Sequence, residues 1–207
     1  MVLAERDVEK LRACVDEGGV AVFPADTVYG LCCDPDSQRA VARLYEIKGR
    51  PAQKPSAVMF FTLEQALSAL PGLEQDERRA LRTLLPGPVT LLLANRAGRF
   101  LPACGPDPAT LGVRVPLLAP ALGALHGLDR AIMQSSANLS GGADVRMLAA
   151  VPASVREGAD LELDGGELPG TPSTVIDLRD YARDRSWRVL REGALPRESV
   201  RRLLARA

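Results

Sequence analysis

The chain has 207 residues with 26 Lys and Arg against 26 Asp and Glu, so its formal net charge is zero; 46% of residues are hydrophobic and 25% charged. A protein that coats nucleic acid needs a basic excess, because its affinity comes from cations displacing condensed counterions, and no such excess exists here. The apolar content argues against disorder and suffices for one core, and the length fits a single domain. Only Lys10, Lys48 and Lys54 are lysines, and every other basic residue is arginine. A chain that uses Arg for plain surface charge draws attention to each remaining ammonium, which presents different donor geometry. The N-terminus, Met1-Val-Leu-Ala-Glu-Arg-Asp7, places charges where a signal peptide needs an apolar run. No segment approaches the ~18 to 20 apolar residues of a membrane span, so a cytoplasmic protein without membrane partners is expected. Cys14, Cys32, Cys33 and Cys104 form no CxxC pair, and the single His126 cannot complete a zinc site, which predicts reduced thiols and no protein metal site.

In chain order, Val8, Leu11 and Val15 recur at i, i+3, i+7 and predict a helix that Gly18-Gly19 stops. Val20–Phe23 reads as a short buried strand closed by Pro24, and Pro24–Gly30 as a loop. Asp36 or Ser37 caps a second helix carrying Val41, Leu44 and Ile47 and ending at Gly49, which puts Lys48 at its exit. Ala57–Phe61 is a predicted strand, Leu63–Leu70 and Glu74–Leu84 helices, and Pro86-Gly-Pro88 a turn into the strand Val89–Ala94. Leu111–Val115 and Ala131–Gln134 are strands around a helical Ala119–Leu125. Further strands are expected at Asp160–Leu163, Ser173–Leu178 and Trp187–Leu190, with a last helix from near Pro196 through Leu204. Helices and strands mix without strict βαβ alternation, so an α/β domain on a mixed sheet is expected.

Polar residues cluster at the strand ends, where a rigid sheet holds loops that carry chemistry. Pro24-Ala-Asp-Thr-Val-Tyr-Gly30 offers the Asp26 carboxylate and the Thr27 hydroxyl, although Asp26 bonding its own backbone is the simpler reading. Lys48-Gly-Arg50, with Lys54 four further on, sets three cations among prolines that stiffen the backbone, an arrangement suited to a triphosphate or to a solvated surface. Ser135-Ser-Ala-Asn-Leu-Ser-Gly-Gly142 supplies hydroxyls, an amide and free N–H groups that can face a phosphate. No Walker A lysine loop or GxGxxG is present, so a nucleotide has to be held some other way. Arg114 alternates with the apolar Val113 and Val115 and faces away from them, and Arg191 ends a strand. A Ser-His-Asp triad would need His126, which lies in an apolar helix end where core or capping duty is simpler.

Taken together, Pro24-Ala-Asp-Thr-Val-Tyr-Gly-Leu31, Lys48-Gly-Arg-Pro51 with Lys54-Pro55, Pro86-Gly-Pro-Val-Thr90, Gly112-Val-Arg-Val-Pro116, Ser136-Ala-Asn-Leu-Ser-Gly141, Pro172-Ser-Thr-Val-Ile-Asp177 and Leu190-Arg-Glu-Gly193 resemble the ordered motif series of the YrdC-like threonylcarbamoyl-AMP synthase family. The series covers about residues 18 to 194, and the chain resembles the short, single-domain bacterial form. The resemblance implies a YrdC-like domain with a twisted, mixed, open sheet flanked by helices around a concave basic cavity. It implies formation of threonylcarbamoyl-AMP and pyrophosphate from L-threonine, bicarbonate and ATP, the last accompanied by Mg2+. Its product would pass to a threonylcarbamoyl transferase that modifies tRNA at position 37. By the same resemblance Lys48 and Arg50 are catalytic, Arg50, Lys54, Thr110, Ser136, Asn138 and Arg191 contact ATP, and Thr27, Arg114, Gln134 and Ser173 surround threonine. Ala25, Met59 and Asp144 depart from the residues more common at their motif positions.

Cations at these positions suit a reaction in which an anionic carbamate attacks a phosphate, since charge has to be offset on both reactants and on the leaving pyrophosphate. Two alternatives stay open from sequence: a module of the same fold that binds double-stranded or transfer RNA through a local basic groove, and a paralogue that carbamoylates or adenylates another substrate; weakly bound tRNA or RNA is a further expected partner.

Overall fold

A computed structural model describes residues 1–49 and 56–206. Helix α1 (Glu5–Asp16) buries Val8, Leu11 and Val15 along one face, as their spacing requires. Helix α2 (Gln38–Ile47) starts at Ser37, whose hydroxyl accepts from the Ala40 N–H at 3.2 Å. That contact supplies a partner for one of the unpaired donors of the first turn and decides between the two expected caps. Helices α3 (Leu63–Ala69), α4 (Gln75–Leu84) and α8 (Arg197–Leu204) lie where the apolar periodicity puts them. Three short helices have no periodic signature: α5 (Leu101–Cys104), α6 (Ala153–Gly158) and α7 (Tyr181–Asp184). The expected helix at 119–125 is a 3₁₀ helix, Pro120–Gly127. Its Gly123 and Gly127 lower helix propensity, and only Leu122 and Leu125 anchor it in the core.

Among the described residues the strands form one sheet in the order β7-β1-β2-β6-β3-β5-β4-β8-β9. They are β1 (Ala21–Pro24), β2 (Tyr29–Cys33), β3 (Ala57–Met59), β4 (Val89–Ala94), β5 (Thr110–Arg114), β6 (Ile132–Ser136), β7 (Leu161–Glu162), β8 (Thr174–Asp177) and β9 (Arg188–Arg191). The sheet is mixed, as expected: β1–β7, β3–β5 and β4–β8 are parallel, and the other neighbours run antiparallel. Tyr29 and Gly30 are not the end of a loop but the start of β2, which returns antiparallel on β1 with Pro24 opposite Tyr29. All residues of β2 are buried, so it lacks the alternation that marks a half-exposed strand.

The core is built from the apolar sides of these elements and includes Leu11, Phe23, Leu31, Leu44, Leu81, Val113 and Ile176. On β5 the period of two is plain: Leu111, Val113 and the following Val115 enter the core, while Thr110, Gly112 and Arg114 line a cavity. The chemistry is therefore carried on one face of the central strands. No helix among the described residues is long and apolar enough to cross a membrane.

Candidate active site

The cavity, about 280 Å3, is floored by alternate residues of the central strands. Thr90 and Leu92 come from β4, Thr110, Gly112 and Arg114 from β5, and Gln134 and Ser136 from β6. Thr27 enters from the loop between β1 and β2, Ser173 from the approach to β8, and Arg191 from the end of β9. Seven of the residues expected to form the site, Thr27, Thr110, Arg114, Gln134, Ser136, Ser173 and Arg191, thus line one cavity. Arg50 and Lys54, expected beside them, lie outside the described residues.

Arg114 is not an exposed strand residue; only 4% of its surface reaches solvent. Its Nη2 donates to Asp26 Oδ1 at 2.5 Å and its Nη1 to Gln134 Oε1 at 2.9 Å, while Thr27 Oγ1 lies 3.5 Å from Nη2. Asp26, in the loop that leads into β2, is thus tied to β5, three places from β2 in the sheet, and not to its own turn. Burial pulls the guanidinium pKa below its usual value, the Asp26 carboxylate opposes that shift, and the like charge of Arg191 adds to it. On the other wall Thr90 Oγ1 and Ser173 Oγ are 2.8 Å apart, and Arg191 Nη2 donates to the Ser173 carbonyl at 2.8 Å. Gly193 permits this: a Cβ there would stand 2.2 Å from the Pro172 carbonyl, so only glycine lets the chain that carries Arg191 close on Ser173.

Lys48 is buried as well, at 2% exposure, and does not line the cavity. Of the two arrangements the sequence left open for this cation, its burial excludes the solvated surface. Its Nζ donates to the Ser136 carbonyl, to the Asn138 carbonyl at 2.7 Å and to Asn138 Oδ1 at 2.9 Å. Its own carbonyl accepts from the Ser140 N–H at 3.0 Å. These contacts clamp the exit of α2 to the loop after β6. Asn138 braces that loop further: Oδ1 accepts from Ser136 Oγ at 2.7 Å, and Nδ2 donates to the Gly142 carbonyl at 2.6 Å.

The lining residues that were not expected in the site include Ser56, Thr90 and Asp144. Thr90 is detectable in retrospect, since it alternates with Leu92 on a strand entered through Pro86-Gly-Pro88. Asp144 is the one carboxylate lining the cavity among the described residues, 3.4 Å from Asn138 Nδ2. Among those residues no group of three His, Cys, Asp or Glu side chains could hold a metal ion. His126 is exposed rather than packed in the core, its Nδ1 3.0 Å from the Gly123 carbonyl. The four cysteines are free thiols; burial pushes Cys33 up to about 12 and Cys14 up to about 11, which leaves both poor nucleophiles.

The profile of the Sua5/YciO/YrdC family, described as telomere recombination, matches residues 13–193. A Pyrococcus abyssi protein named threonylcarbamoyl-AMP synthase is 31% identical over 194 residues, 92% of this chain and 55% of that protein. The chain therefore spans little more than half the length of this relative. A Xanthomonas axonopodis protein of the same name is 32% identical over 191 residues, 90% of this chain and 97% of that protein. The solved structure of P. abyssi Sua5 complexed with L-threonine superposes with a TM-score of 0.81 at 29% identity, over 98% of this chain and 58% of that one.

Proposed function

The chain belongs to the Sua5/YciO/YrdC family, and on that premise we propose that it is a threonylcarbamoyl-AMP synthase, joining L-threonine, bicarbonate and ATP. The observation that carries the reading is the cavity itself, in which a buried guanidinium, Arg114, shares the lining with the Thr27 and Ser173 hydroxyls and with Ser136. Arg114 suits an amino-acid carboxylate, because a planar fork matches two carboxylate oxygens. Thr27 and Ser173 add hydroxyls that can bond threonine's polar groups.

In the reaction the threonine amine takes up the carbon of bicarbonate with loss of water, giving a carbamate. A carbamate oxygen then bonds the α-phosphorus of ATP, and the bond to pyrophosphate breaks. Ser136 and the loop N–H groups receive the nucleotide, Thr110 and Arg191 border it, and by motif match Arg50 and Lys54 offset triphosphate charge. Lys48 serves by holding the loop, since its ammonium is directed at that loop's acceptors. Holding three reactants together supplies much of the acceleration, because their association entropy is then met by binding. Magnesium brought by ATP would find Asp144 on the wall and would neutralise phosphate charge. The product passes to a transferase acting on tRNA.

The test is pyrophosphate release by the purified protein with each reactant omitted in turn. Release should require ATP, threonine and bicarbonate together, and release that is indifferent to threonine overturns the reading.

A further inference from the structure

We propose that Asp26 is a positioning residue that fixes the orientation of the Arg114 guanidinium and thereby sets how strongly the cavity selects a free carboxylate. The inference rests on the functional reading above and deepens it.

Asp26 does not line the cavity, whereas Arg114 and the neighbouring Thr27 do, so the carboxylate stands behind the guanidinium and not beside a ligand. The pair is sealed: 2% of the Asp26 side chain and 5% of the Arg114 side chain are exposed, so water cannot take the place of either partner. Two acceptors from different elements grip two different nitrogens of the fork, Asp26 on Nη2 and Gln134 on Nη1. A planar group held at two corners cannot turn about its long axis, so its remaining N–H groups keep one direction. Asp26 does this at a cost, since its Oδ2 is buried without a hydrogen-bond partner, as is Arg114 Nε. A buried carboxylate oxygen left unsatisfied calls for an explanation beyond stability, and fixing the aim of a binding group is one.

Charge points the same way. Arg191 lines the same cavity, so an Arg114 without its counter-ion would be a desolvated cation facing a like charge. Loss of the Asp26 charge would let the fork leave its plane even where the backbone is unchanged.

The experiment measures dissociation constants of L-threonine, L-threoninamide and ATP by calorimetry on the full chain. It compares the unaltered protein with Asp26→Asn, Arg114→Lys and the double variant. Threoninamide lacks the anionic carboxylate, so the ratio of its constant to that of threonine reads out the fork alone. Asp26→Asn should lower this ratio by about tenfold or more while ATP binding changes less than about twofold, and in the Arg114→Lys background it should add little. An unchanged ratio, additive effects in the double variant, or equal weakening of ATP and threonine would overturn the proposal. Should Asp26→Asn fail to fold, Arg114→Lys decides: it keeps the charge but not the plane, so a retained ratio means that orientation does not matter and the proposal falls. An unaltered protein that binds ATP but no threonine contradicts the functional reading and removes this inference with it, whereas threonine binding indifferent to Asp26 contradicts this inference alone.

Discussion

Lys48, singled out in the sequence, donates in the structure to the Asn138 carbonyl and to Asn138 Oδ1. Its scarcity in an Arg-rich chain marked it, and the structure gives the reason an Arg would not serve: its acceptors, two carbonyls and an amide oxygen, converge on one point. A compact ammonium meets that arrangement, and a planar fork does not. Lys48→Met keeps the stem and removes the donors. It should cut kcat/KM for ATP by about 100-fold or more and speed amide exchange across residues 136–142, with no rescue by Lys48→Arg. Unchanged exchange with lost activity would mean that the amine acts on the nucleotide directly. Gly30 gives a second case: a Cβ at this position would stand 2.7 Å from Gln134 Nε2 and 3.1 Å from the Ser135 carbonyl. Gly30→Ala should push the Gln134 amide off Arg114 and raise the threonine KM, leaving the ATP KM within about twofold because the nucleotide loop is braced separately. Equal shifts in both constants would contradict that division. The burial of Arg114 was not readable from its alternation with Val113 and Val115, since alternation assigns a face and not what covers it.

Among the elements, long amphipathic helices and strands beside turn residues were readable because local periodicity reports burial. β2 was not, because Tyr29-Gly-Leu-Cys-Cys33 is buried on every residue and opens on a motif rich in turn formers. The strand order was not readable either, and it is what gathers the site: β6 lies between β2 and β3, which sets Gln134 from the second half of the chain opposite Cys32 with its side chain against Gly30. The β8–β9 edge that carries Ser173 and Arg191 is fastened by Asp177, where Arg179 donates at 2.8 and 2.9 Å and Arg188 at 2.9 Å. The Arg179 contacts, with Arg188 in support and against the effect of burial, hold the Asp177 carboxyl down at about 2, below its ordinary 3.8. A lowered carboxylate pKa stabilises the fold above the ordinary value, and that contribution is lost as pH falls through the folded value. The thermal midpoint of Asp177→Asn should therefore trail the unaltered protein at neutral pH, with the gap closing between about pH 4 and about pH 2. A gap that stays constant over that range would show that charge is not what fastens the edge.

Across the whole molecule, neutrality of the sum hides an uneven distribution. Arg114 and Arg191 share one cavity with a single lining carboxylate among the described residues, and Asp26 lies behind Arg114 as a counter-ion that the ligand does not meet. This fits a protein that binds small anions in a cleft and not one that coats a polyanion. The sharpest test follows the carbon. With ATP, L-threonine and 13C-bicarbonate, the protein should form a product in which threonine and AMP are joined through one labelled carbon, seen by mass spectrometry with pyrophosphate in equal amount. An unlabelled threonyl-AMP, or pyrophosphate formed at the same rate without bicarbonate, would contradict it.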